Sequence, residues 1–192
     1  MATKATAILA HEHQVISRGL AVLDAVALRL AAGDDVPPET LESLIEFFAV
    51  FADGCHHAKE EGILFPALRA SGALSVEPMK VLLAEHAEGR RLVGRLRREV
   101  ASVGGDAEAR RHFVMAAREY VALLEHHIAM EDEAFFPSAD EMLTEASDRE
   151  ITAAFERYEE VEMGPGVHQR FHTMLDDLAA RYLPASSPSP RT

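Results

Sequence analysis

Apolar residues return every three or four positions along almost the whole chain, and strict alternation is nearly absent, which restricts the fold to helices. In the first segment Leu9, His13, Ile16, Leu20, Leu23, Ala27 and Leu30 line one face before Gly33 and the break "DDVPPE". A second starts after Pro37-Pro38 and sets Ile45, Phe48, Ala52, His56, Glu60 and Ile63 on a face that ends at Pro66. A third begins around Ser75 and carries Met79, Leu82, His86, Gly89, Val93, Leu96, Val100 and Val103 as far as Gly104-Gly105. The fourth runs from Asp106 through Phe113, Ala117, Tyr120, Leu124, His127, Glu131 and Ala134 to Pro137.

Four helices of roughly 28 to 32 residues, about 45 Å each, joined by short Gly/Pro breaks, favour an all-α fold: an antiparallel up-down-up-down four-helix bundle. Additional C-terminal helices are expected from about Ser147 to Val161 and after the turn "GPG", packed outside the four or over one end. The chain thus divides into a bundle over 1–140, a helical extension over 141–183 and a tail over 184–192. That tail, "PASSPSPRT", has no apolar residue larger than alanine and is expected to be disordered.

A formal charge of −13 argues against nucleic acid, because phosphate binding needs a basic surface and the arginines of "GRRLVGRLRRE" read as a solvated helix face. Cys55 is the single cysteine, which excludes an internal disulfide and suits a reducing, cytoplasmic setting. No apolar run reaches the roughly 18 residues of a membrane span, and the first residues lack the apolar core of a signal peptide.

The four helices hide a duplication. "CHHAKEEGILFP" (55–66) and "HHIAMEDEAFFP" (126–137) align on their Phe-Pro ends, and "AHEH" aligns with "LAEH" upstream. His56 then matches His127, Glu60 matches Glu131, and His13 matches His86. A histidine and a glutamate at i and i+4 project from one helix face a turn apart, so their donor atoms reach a common ion. Burying two carboxylates and four imidazoles without a cation would cost about several kcal/mol per charged group, and bound cations turn that cost into coordination. Imidazole and carboxylate without thiolate suit iron or manganese better than structural zinc, and two irons bridged by Glu60 and Glu131 are the natural count.

Neighbouring residues offer alternatives. His57 with Glu61 has the same spacing, and Asp132 stands next to Glu131, so a register shifted by one residue is a specific rival. His11, His57 and His126 are expected in supporting or surface positions, and Cys55 as a small buried apolar group. His168 and His172 form another i, i+4 pair after the Gly-Pro-Gly turn.

Residues 8–16 together with "CHHAKEEGILFP", "LLAEHAEG" and "HHIAMEDEAFFP" resemble the hemerythrin-like family of histidine/histidine/glutamate cation-binding proteins, over roughly residues 5–140. The resemblance implies a non-haem di-iron centre with His13, His56, His86 and His127 as terminal ligands and Glu60 and Glu131 as bridges. Oxygen-carrying members have a further histidine one turn after the third helix's ligand, where this chain has Arg90, and their bridging aspartate falls at the place of Asp132. If the last helix caps the bundle, His168 is the candidate to supply the missing ligand and His172 to support it. The expected function is binding or reduction of a small ligand such as O₂, NO or peroxide at two iron ions. The alternative is a non-catalytic oxygen- or iron-sensing module, and no protein partner is specified.

Overall fold

The structure, a computed structural model, describes residues 4–72 and 76–184. The start expected near Ser75 and all of the expected tail after Pro184 lie outside the described residues. The fold is all-α, with no strand among the described residues. Helix α1 is Ala5–Ala32, α2 covers 38–71, α3 is Val76–Glu99 with a tighter turn Val100–Ser102, and α4 covers 107–142. Helix α5 is Glu145–Tyr158, continued by a wide turn Glu159–Met163, and α6 is Val167–Tyr182.

The helix ends follow local chemistry. Gly33, at φ 92°, closes α1 in the left-handed conformation that favours glycine, and Asp34 N–H returns to the Arg29 carbonyl at 3.0 Å. Pro38 starts α2 where a missing N–H costs nothing. The Asp106 carboxylate accepts from Glu108 N–H at 2.8 Å, and the Thr144 hydroxyl accepts from Ser147 N–H at 3.1 Å.

Two expectations about boundaries need correction. Pro66 and Pro137 do not end their helices: α2 continues to Ser71 and α4 to Met142. In each case a wide turn, Glu60–Leu64 or Glu131–Phe135, precedes the proline, so the missing N–H falls where a fresh helical turn begins. That turn also shifts the buried face by one residue. Leu64 and Phe135 are buried, whereas Ile63 is half-buried and Ala134, expected on the inner face, is exposed.

Helix α1 packs against α2, α4, α5 and α6, and α3 packs against α2 and α4. Two apolar clusters result. One is built around Ile16, Leu23, Phe47, Phe48, Phe113, Tyr120 and Phe171, the other around Leu9, Leu64, Phe65, Phe135, Phe136 and Phe155. Along each long helix the histidines and glutamates of the repeat fall between residues of the first cluster and residues of the second, so a polar layer is sandwiched between them.

Gly19 allows α1 to meet α2 closely, since a Cβ there would run into the buried Phe47 ring. Alanine gains about 1 kcal/mol of helix propensity, but forcing the stacked Phe47 aside costs about 1–3 kcal/mol. Gly19→Ala should therefore lower the urea midpoint; an unchanged or raised midpoint would show that the contact yields freely.

Candidate metal centre

Six side chains of the repeat converge in the polar layer, all at most 1% exposed: His13 from α1, His56 and Glu60 from α2, His86 from α3, His127 and Glu131 from α4. Their Nε2 atoms form two pairs, His13 with His56 at 3.0 Å and His86 with His127 at 3.1 Å. Glu60 Oε2 spans the pairs, 3.6 Å from His56 Nε2 and 3.5 Å from His86 Nε2. Glu131 Oε2 spans them from the other side, 3.1 Å from His13 Nε2 and 3.3 Å from His127 Nε2. The imidazoles thus stand in two adjacent pairs, with two carboxylates reaching both.

Each imidazole is held from behind by a carboxylate. His13 Nδ1 meets Asp132 at 2.7 Å, His56 Nδ1 meets Glu12 at 3.0 Å, His86 Nδ1 meets Glu61 at 2.8 Å and His127 Nδ1 meets Glu85 at 2.8 Å. A ring that donates its Nδ1 proton outward presents the Nε2 lone pair inward, the tautomer a metal needs. The four acids are related by the duplication: Glu12 to Glu85, Glu61 to Asp132. Glu61 and Asp132, the rivals for bridging positions, thus stand outside the layer, and Arg90 pairs with Glu61 and with Asp53, each at 2.7 Å.

His57 departs from expectation. The sequence spacing puts it beside or outside the site, yet it is 3% exposed, and its ring lies nearly parallel to His86 at 3.9 Å. The wide turn Phe48–His57 rotates less per residue than an α-helix, so two consecutive histidines face inward. His57, Glu60, His86 and His127 offer donor atoms within 4.8 Å of one another, as do His13, His56, Glu60 and Glu131. A fifth histidine thus enters from α2, where Arg90 of α3 supplies none.

His168 does not join these groups. It sits 32% exposed, with Nε2 3.4 Å from Cys55 Sγ and 3.9 Å from Glu159. Glu12, Cys55, Glu159 and His168 make a separate cluster, and the Lys59 ammonium hydrogen-bonds to Glu12 and to Glu159 within it. Burial pushes the Cys55 thiol up to about 12, so it is not a ready thiolate. His11 and His126 are exposed, and His172 borders the groove that His11, Glu12 and Glu159 also line.

A bare centre is electrostatically unfavourable. Neither carboxylate oxygen of Glu60 or of Glu131 has a hydrogen-bond partner of ordinary geometry, and neither does either nitrogen of His57. Burial and the adjacent Glu131 push Glu60 well above the usual carboxylate range. Burial opposes ionisation of Glu131 too, but the imidazoles of His127 and His13 beside it hold it well below that range. Burial and the neighbouring imidazoles push His56 and His86 down. Buried acceptors without donors, facing inward lone pairs, fit cations and little else.

A model of the hemerythrin HHE cation-binding domain matches residues 4–139, and the chain belongs to that family. Uncharacterised proteins of Mycobacterium bovis and of two strains of Mycobacterium tuberculosis are each 28% identical over 172 residues, 89% of this chain and 66% of the relative. The chain therefore spans just under two thirds of the length of these relatives. No solved structure matches it.

Because folding keeps Glu60 protonated above pH 4.5, where the unfolded chain releases that proton, metal-free stability falls as pH rises from there. Metal-free Glu60→Gln should melt higher than metal-free wild type at pH 7, with the gap closing towards pH 4. An equal or lower melting temperature at pH 7 would show that the buried acid is no burden.

Proposed function

We propose that the chain is a cytoplasmic non-haem di-iron protein that binds or reduces a small ligand such as O₂, NO or peroxide. In this reading α1 to α4 run up-down-up-down as an antiparallel bundle, residues 1–140 hold the metal, and 141–183 pack on it as an extension. The observation that carries it is the doubled donor set: two imidazole pairs spanned by two carboxylates, each imidazole fixed from behind by an acid. His13, His56, His86 and His127 are the terminal ligands, Glu60 and Glu131 the bridges, and His57 an additional donor to the position of His86 and His127.

The two positions are then unequal. His57 adds a third imidazole on one side, whereas the side of His13 and His56 has only two, which leaves more room there for a small ligand. Iron supplies the redox change and the affinity for such ligands. The protein's residues hold the donors, and the phenylalanines flanking the layer, among them Phe136 stacked on His13 at 5.3 Å, keep bulk water away. No helix among the described residues is long and apolar enough to cross a membrane.

Anaerobic reconstitution with ferrous iron should give close to two irons per chain, and oxidation a near-ultraviolet charge-transfer band. His56→Ala or Glu131→Ala should remove most of the iron, whereas Glu61→Ala, which only loses the support behind His86, should weaken binding about 10–100-fold. One firmly bound zinc with no iron uptake would contradict the proposal. Two irons whose spectrum ignores O₂, NO and peroxide would favour iron handling instead.

A further inference from the structure

Besides the added His57, the duplication that builds the centre is broken at a buried charge. Lys59 follows His56 by three positions and matches Met130, which follows His127. Lys59 is fully buried, whereas Met130 is 47% exposed. The difference continues around them. On the first half, α5 lies against α1 and α2, with Phe155 under the Lys59 ammonium at 5.5 Å. On the second half the corresponding side is an open apolar groove of about 560 Å³, bordered by Val81, Leu82, Met130 and Phe135.

We propose that Lys59 is a positioning residue of the metal centre, which fixes His56 through Glu12 and ties that fixing to the α5 extension through Glu159. The contacts form an unbroken line: Glu159 Oε1 accepts from Lys59 Nζ at 2.7 Å, Lys59 also donates to Glu12 Oε1, and Glu12 Oε2 faces His56 Nδ1 at 3.0 Å. A buried ammonium must be paired, and the pairs it has made leave Glu12 one orientation, with its second oxygen on His56. Two of the other outer acids are held differently: Glu61 by the exposed Arg90 at 2.7 Å, while Glu85, beyond its bond to His127, has only the exposed His126 nearby, at 4.0 Å. A carboxylate shared with an ammonium also draws less on the imidazole proton, so the two halves of a symmetric ligand set are made different from behind. The extension is the source of Glu159, so it acts on one cation position and not the other.

This inference rests on the di-iron reading for its metal arm and is independent of it in a second arm. In metal-free protein, Lys59→Met, which installs the residue of the matching position, should shift or abolish the imidazole N–H resonance of His56 and leave that of His127 in place. After reconstitution with ferrous iron, one of the two irons in Lys59→Met should pass to a chelator about 10-fold or more faster than in wild type, the other at the wild-type rate. Glu159→Gln, at the half-exposed end of the line, should act in the same direction with smaller size and decides the matter if Lys59→Met does not fold. Unchanged His56 resonance in a folded variant, or equal loosening of both irons, would overturn the proposal. Failure of wild type to take up iron would sink the di-iron reading while the resonance arm still judged Lys59.

Discussion

Two glutamates placed together where no water reaches are the constraint to which the rest of this molecule answers. Glu60 and Glu131 are both fully buried, and neither is compensated by a lysine, an arginine or a backbone amide. The chain tolerates this because four imidazoles surround the pair and because cations placed between them reverse the sign of the interaction. The long apolar faces on either side supply the stability that holds so unfavourable a layer together in its metal-free form.

Around that pair the protein uses one device four times: an acid from a neighbouring helix behind each imidazole. The acids lie one residue before the first histidine of each half or one residue after its buried glutamate, Glu60 or Glu131, so each helix supplies a histidine to the layer and supports the histidine of another. Helix ends and inter-helix contacts therefore matter to the site as much as the converging side chains do, since a helix that rotates slightly withdraws one of them and misplaces a neighbour's. The wide turns in α2 and α4 set these rotations.

Much of this is legible in the sequence, for physical reasons. Spacing of three and four residues reports which side of a helix is buried, and it places Leu9, His13, Ile16 and their successors on the inner face of α1 without exception through Leu30. The duplication brings out the six side chains that meet in the polar layer. What the spacing cannot report is a change of helical pitch. A wide turn alters the angle per residue by a small amount that accumulates, so Ala134 turns outward, Phe135 inward, and His57 joins His56 inside. The adjacent histidines "HH" before a buried Glu were the available signal for His57, but an α-helical pitch reads them as one in and one out. The prolines misled in the same way, because their place after a wide turn is invisible to a rule that treats proline as a stop. His168 shows a different limit: where a helix beyond a Gly-Pro-Gly turn docks is decided by tertiary contacts such as Phe51 beneath its ring at 5.0 Å, not by the helix's own pattern.

Anomalous diffraction at the iron edge, from crystals of the iron-loaded chain, would locate the metal without reference to spectra or activity. A di-iron centre would give two peaks in the polar layer, both within bonding distance of Glu60 and Glu131, one flanked by His13 and His56 and the other by His57, His86 and His127. A single peak, or peaks outside the layer with Glu60 and Glu131 unliganded, would contradict it.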